Sequence, residues 1–199
     1  ISYFILIAGL GISTYAVREG ARLRDNQKAF QDFANEMFTI NAISTIVAYF
    51  GLGVLLVVST KVREYKVLLL ILSLLIIFKT IGIDWIYSIF EDYAYITVRS
   101  IIFQFISLIL LFTMVKTEND VNIYALITAI SSGGSGILNY IHAKKYCCIK
   151  LTPKVNWKRH MRPILVLFAT SVTVTIYTSS DVTILGLSLI HISEPTRRA

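Results

Sequence analysis

The stretch VLLLILSLLIIFKTIGIDWIY, residues 67–87, decides the fold class. From Val67 to Phe78 it carries no charge, and Ser73 is its one polar side chain. About 20 consecutive apolar residues at ~1.5 Å each cross the ~30 Å hydrocarbon core of a bilayer. A helix that starts at Val67 and continues to Tyr87 meets that length. It also carries Lys79 and Asp84, and a charge near the centre of a spanning helix costs about 2.5 to 3.5 kcal/mol on insertion scales. A charge kept at that cost marks a candidate functional position.

Working outward, five further apolar segments appear: 1–12, 37–58, 96–115, 121–141 and 164–185. The first has the look of the end of a longer span, and the last follows Pro163, a favourable first-turn residue. Hydrophobic residues make up 55% of the chain and charged residues 16%, against about 25% charged in a soluble domain. Mean hydropathy is +0.68. So little polar surface cannot cover one soluble core of this size. Strands are excluded, because an open sheet cannot satisfy its backbone in lipid and no alternating barrel-type segments occur. The expectation is an all-α polytopic membrane protein with about six transmembrane helices.

The net charge of +7 would raise nucleic acid as a partner for a soluble protein. Here the cations fall between apolar blocks, so no nucleic acid partner is expected, and membrane lipids and topology account for them. Alternate connections share a side of the membrane. One set holds Arg18, Arg22, Arg24 and Lys28, then Lys144, Lys145, Lys150, Lys154, Lys158, Arg159 and Arg162. The other holds Lys61, Arg63, Lys66 and Lys116. Eleven cations against four place the first set in the cytoplasm. Residues 13–36 mix charges with alanines and phenylalanines and read as an interfacial helix along that face. Trp157, among Lys154, Lys158 and Arg159, reads as a boundary anchor.

Within the spans, Lys79 lies about 18 Å down its helix from Val67, near mid-membrane. Asp84 is five residues further on, about 140° away around a regular helix. The two are then poor partners for each other, and each faces another helix or a wet cavity. In the alternative reading the helix ends at Phe78 and both sit at the interface. Arg99, in the first turns of its helix, either snorkels to phosphates or lines a cavity. Asp181, about 26 Å along the last helix, falls near the outer boundary. Ser131-Ser-Gly-Gly-Ser-Gly136 permits close helix packing, or a hinge. Asn41, Gln104 and Asn139 read as interhelical hydrogen-bonding groups. The adjacent Cys147 and Cys148 read as reduced, inert thiols. No phosphate-binding Gly-rich loop, H-E-x-x-H, G-x-S-x-G or clustered His and Cys occurs, so no hydrolytic chemistry, metal or cofactor is expected.

Three strings carry a family resemblance. LGISTYAVREGARLRD (residues 10–25), IGIDWIYSIFEDYAYITVRSI (81–101) and SSDVTILG (179–186) resemble, in order, stretches of the Wzx-type polysaccharide and O-antigen flippases. Those belong to the multidrug/oligosaccharidyl-lipid/polysaccharide exporter superfamily. The resemblance implies that the six segments are helices two to seven. Residues 1–162 would be a partial N-terminal bundle and 163–186 the first helix of a second bundle. The string LSLIHISEPTRRA, 187–199, resembles a translated sequencing adaptor and is expected to be foreign. The chain opens inside an apolar run at Ile1, so it is also expected to lack its beginning.

The implied role is movement of an undecaprenyl-diphosphate-linked oligosaccharide across the bacterial cytoplasmic membrane. Such a substrate needs a cationic, hydrated cleft open toward lipid. Lys79 and Arg99, with Arg18 and Arg22 at the cytoplasmic mouth, would supply the cations. Asp84 would be a counter-ion or the site of a coupling H+ or Na+. A cation-coupled multidrug antiporter and a peptidoglycan-precursor flippase are alternatives in the same superfamily, the antiporter favoured by a cavity dominated by acids. A membrane polymerase or ligase would want a large outer loop, and residues 59–66 and 116–120 are too short. The protein is therefore expected not to be an enzyme.

Overall fold

The computed structural model describes residues 1–117 and 120–193, with side chains up to residue 178 apart from Lys61. The described residues form helices and no strand. In chain order these are α1 (Ser2–Gly9), α2 (Ile12–Leu23), α3 (Gln27–Val58), α4 (Thr60–Glu64), α5 (Lys66–Gly82), α6 (Asp84–Ile89), α7 (Tyr93–Met114), α8 (Val121–His142) and α9 (Trp157–Ser193). Five helical stretches are long and apolar enough to cross a membrane: Gln27–Val58, Lys66–Ile89, Tyr93–Met114, Val121–Lys145 and Trp157–Thr178. The chain is an all-α, multi-pass membrane protein.

Several segment boundaries differ from the sequence reading. The apolar run 1–12 is not one helix, because Leu10 and Gly11 both adopt left-handed backbone, with φ of 43° and 68°, and end α1. A side chain at Gly11 would meet the backbone nitrogen of Phe168 at 2.8 Å, so glycine there both makes the turn and admits α9. Of residues 13–36, only the first part forms the amphipathic α2. The rest belongs to α3, which starts at Gln27 behind Asn26, whose side chain caps the Ala29 amide at 3.1 Å. Lys28, Asp32 and Glu36 disguised that start, although Phe30, Phe33 and Ala34 beside them are buried. Pro163 lies inside α9, six residues after Trp157, and not at its start. The side chains of Asp181 and of residues 187–193, and residues 194–199 altogether, fall outside what the structure describes.

α8 is the hub. It packs against α5 on one side and α7 on the other, while α1 lies against α3, and α2 lies against α3, α6 and α9. The Gly-rich surface of α8 is a packing surface. A side chain at Gly136 would stand 2.8 Å from the Phe78 carbonyl oxygen and 3.2 Å from Gly82 Cα. α8 runs unbroken through these glycines. The buried core gathers Ile12, Tyr15 and Ala16 of α2, Phe30, Phe33 and Met37 of α3, Trp85, Ile86 and Ile89 of α6, and Ile164 of α9.

Three connections meet at one end of the bundle. Arg24 Nη1 donates to Glu91 Oε1 at 2.9 Å, and the Tyr146 hydroxyl donates to Asp92 Oδ2 at 2.6 Å. Gln31 Nε2 donates to the Cys148 carbonyl at 2.5 Å, and the Cys148 amide to Gln31 Oε1 at 2.8 Å. The connections after the first, third and fifth apolar segments thus share a side, as alternation requires. The Tyr146 hydrogen bond holds the Asp92 carboxyl below the usual carboxylate range. Burial, then Asp92, push the Tyr146 hydroxyl up to about 12. Burial likewise pushes the Cys147 thiol up to about 12, which keeps it protonated and inert.

Candidate functional site

The site is built on a helix break. α5 stops at Gly82, Ile83 takes φ of 39°, and α6 begins at Asp84. Left-handed backbone at a β-branched residue is an outlier that surrounding contacts must hold, and Ile83 is 1% exposed. The break redirects Asp84, so that its Oδ2 lies 3.4 Å from Lys79 Nζ. The regular-helix expectation that the two point apart is therefore corrected: they form an ion pair.

Two further groups converge on Asp84. Asn139 Nδ2, from α8, donates to Asp84 Oδ1 at 2.6 Å and to the Gly82 carbonyl at 2.8 Å. That amide satisfies a carbonyl freed by the break, as a break among packed helices demands. The carbonyl of Asn139 accepts from the Tyr87 hydroxyl at 2.6 Å. Arg99 Nη2 stands 3.8 Å from Asp84 Oδ1. The Arg99 Nη1 donates to the Ser135 carbonyl at 3.2 Å. With its side chain 10% exposed, Arg99 is a bundle residue and not a snorkelling one.

Lys79, Asp84 and Arg18 line one groove of about 570 Å³, together with Ser13, Thr14, Val17, Trp85, Ser88 and Tyr93. Asp84 also borders a second groove, of about 460 Å³, with Thr97, Arg99, Ser100 and Gln104. The carboxylate thus borders two concavities, each with at least one cation and several hydroxyl or amide groups among its lining residues. Lys79 and Asp84 remain about half exposed, at 54% and 46%. Three arginine or lysine side chains and one carboxylate make an anion-attracting surface, with hydroxyls and an amide for a polar, uncharged ligand.

Of the five residues singled out in the sequence, the structure gathers Arg18, Lys79, Asp84 and Arg99. Arg22 is elsewhere: it pairs with Glu19 at 3.1 Å on the exposed side of α2. Gln104 and Asn139 join the site, the second through the hydrogen bonds expected of it. Trp85, Ser88 and Ser13 were not anticipated. Ser13 and Ser88 carry no distinguishing signal in sequence, because their positions depend on how α2 packs on α6. Among the described residues no group of three His, Cys, Asp or Glu side chains is placed to hold a metal.

Comparison with known proteins agrees with the family resemblance. No curated protein and no solved structure matches the chain. The family described as polysaccharide biosynthesis protein matches residues 1–191. That match spans the helix break, the three connections and α9 as far as residue 191, and the chain belongs to this family, which is that of the Wzx-type polysaccharide flippases.

Proposed function

We propose that the protein moves an undecaprenyl-diphosphate-linked oligosaccharide from the cytoplasmic to the outer leaflet of the bacterial cytoplasmic membrane. The observation that carries this reading is the groove lined by Arg18, Lys79 and Asp84, with Lys79 paired to Asp84 and Arg99 on the other side of the same carboxylate. A diphosphate is recognised by charge-assisted hydrogen bonds from such side chains. The neighbouring serines, threonines and Gln104 suit sugar hydroxyls. The cation excess disfavours a cation-coupled drug antiporter, whose cavity would be acidic. A peptidoglycan-precursor flippase also handles a diphosphate, so that alternative shares the geometry. Asp84 is engaged by Lys79, Arg99 and Asn139 at once, which supports a counter-ion role over a site for a coupling H+ or Na+. No bond is made or broken in this reading, and the chain acts as a transporter and not an enzyme.

The test is Lys79→Ala in the full-length protein, expressed in a strain that lacks its own flippase. Loss of one charge-assisted contact, worth about 1.5–3 kcal/mol, predicts a fall in surface glycan of roughly tenfold or more, with membrane protein level unchanged. Lys79→Arg should keep part of the activity, since charge survives while geometry changes. Full recovery by Lys79→Ala at normal expression would show that the lysine has no substrate role.

A further inference from the structure

On the far side of Arg18 lies another pocket, of about 450 Å³, where α2 meets the beginning of α9. Arg18, Arg159 and Arg162 line one part of it, and Val166 and Leu167 line another. Glu19 is the one carboxylate in the lining, and it is already engaged, 3.1 Å from Arg22 and 3.8 Å from Arg18. Among the described residues neither Arg159 nor Arg162 has a carboxylate within ion-pair distance. The first turn of α9 contains no acid and carries Lys158 and Arg159 instead. The N-terminal end of a helix is its positive end, where cations are disfavoured. Three arginines are therefore held together around one shared carboxylate, and Arg159 stands in a first turn that repels it. An anion supplied from outside relieves that conflict.

The frame under the arginines is fixed. Beneath the pocket, His160 is fully buried, with its Nδ1 2.9 Å from the Tyr15 hydroxyl and its Nε2 2.5 Å from Glu36 Oε2. Glu36 is thereby committed to His160, and not to the arginines. The close approach at Gly11 joins α2 to α9 on the same flank. Guanidinium groups on such a frame present planar, forked donors suited to phosphate. Val166 and Leu167 lie on the uncharged part of α9, residues 163–178, beyond the arginines on the same membrane-crossing stretch, so the pocket is cationic at one end and apolar at the other.

We propose that this pocket holds the phosphate of a membrane lipid, with the lipid's hydrocarbon chain running along Val166 and Leu167. Arg18 lines both this pocket and the groove of Lys79 and Asp84. Resting on the transport reading, the pocket is then the station at which a lipid-borne diphosphate waits before it enters the groove.

Native mass spectrometry of the full chain in detergent micelles tests this with three probes: phosphatidylglycerol, farnesyl diphosphate and inorganic pyrophosphate. Both lipid phosphates should be retained, and Arg159→Ala/Arg162→Ala should weaken their retention by about tenfold or more. Arg159→Lys/Arg162→Lys should keep part of it. Both arginines are exposed, so helix content by circular dichroism should be unchanged. Retention that ignores the double alanine variant overturns the site. Equal retention of free pyrophosphate overturns its assignment to a lipid. Retention of phosphatidylglycerol without farnesyl diphosphate upholds the lipid site and overturns its place ahead of the groove. Failure of the transport reading shows separately, as normal export by Lys79→Ala, and leaves the binding result standing.

Discussion

At Asn139 one amide group donates both hydrogens to acceptors that the helix break exposes, the Gly82 carbonyl and the Asp84 carboxylate. Asn139→Ala leaves the buried Gly82 carbonyl without its side-chain donor, at a cost of about 1–3 kcal/mol. SDS titration in mixed micelles should show unfolding at lower SDS fraction; an unchanged midpoint would remove this role. Asn139→Asp should be worse at neutral pH, since it sets a second carboxylate against Asp84. The Asp92 and Tyr146 pair makes a pH-dependent prediction outside the membrane. Asp92 is depressed in the folded state, so its contribution is present above the unfolded carboxylate value of about 3.9. That contribution is lost as pH falls through the folded value. Tyr146→Phe should therefore lower stability by a constant amount between the usual carboxylate range and the free tyrosine value of about 10, and the difference from wild type should vanish in stronger acid. A difference that persisted there would mean that packing, not the hydrogen bond, is what the hydroxyl supplies. Single residues were partly legible in the sequence. The insertion cost of Lys79, Asp84 and Arg99 singled them out, and Asn139 stood out as an amide in an apolar span. His160 was hidden in a basic run, because its burial depends on Tyr15 and Glu36, which are far away in sequence.

For elements, apolar length was a sound guide where helices are regular. α7 and α8 begin and end within about three residues of the sequence reading. It failed where backbone departs from a helix without the usual residue. Ile81-Gly82-Ile83-Asp84 contains a glycine, but the left-handed residue is Ile83, and nothing in an isoleucine advertises that. Once the break is missed, the angle between Lys79 and Asp84 is wrong as well, so one backbone angle decides the geometry of the site. The start of α3 was missed for the opposite reason: charged residues on its exposed face outweighed the buried Phe30, Phe33 and Ala34. Contact between α5 and α8 depends on Gly136 having no side chain. Gly136→Ala must displace the Phe78 carbonyl 2.8 Å away, and overpacking of this kind costs about 1–3 kcal/mol. Thermal unfolding in detergent should show a lower midpoint, together with reduced export. A wild-type midpoint would mean that the two helices separate without penalty.

At the scale of the molecule, the charge count and the structure meet in the three connections that share one end. Cysteines placed at 24 and 154 in a Cys148→Ser background should stay unlabelled by a membrane-impermeant maleimide in intact cells, while one at 63 should be labelled. Labelling at 63 only after permeabilisation would reverse the orientation. Native Cys147 should stay silent throughout, because its thiol is buried and protonated. Those stitched connections have a mechanical consequence. The pairs Arg24 to Glu91, Tyr146 to Asp92 and Gln31 to Cys148 tie together strands of chain that leave different helices. At the other end, the polar contacts of the described residues are local: Arg63 reaches back to the Val57 carbonyl at 2.8 Å, and Asp120 accepts from the Thr117 amide at 2.9 Å. A bundle riveted at one end, whose polar ties between α3 and α5 beyond that end include the Tyr49 hydroxyl on the Ser73 carbonyl, works like a pair of tongs pivoting at the riveted end. Small rotations near the rivets become wide displacements at the tips, so the leverage for opening a path through the bilayer grows with distance from the stitched end.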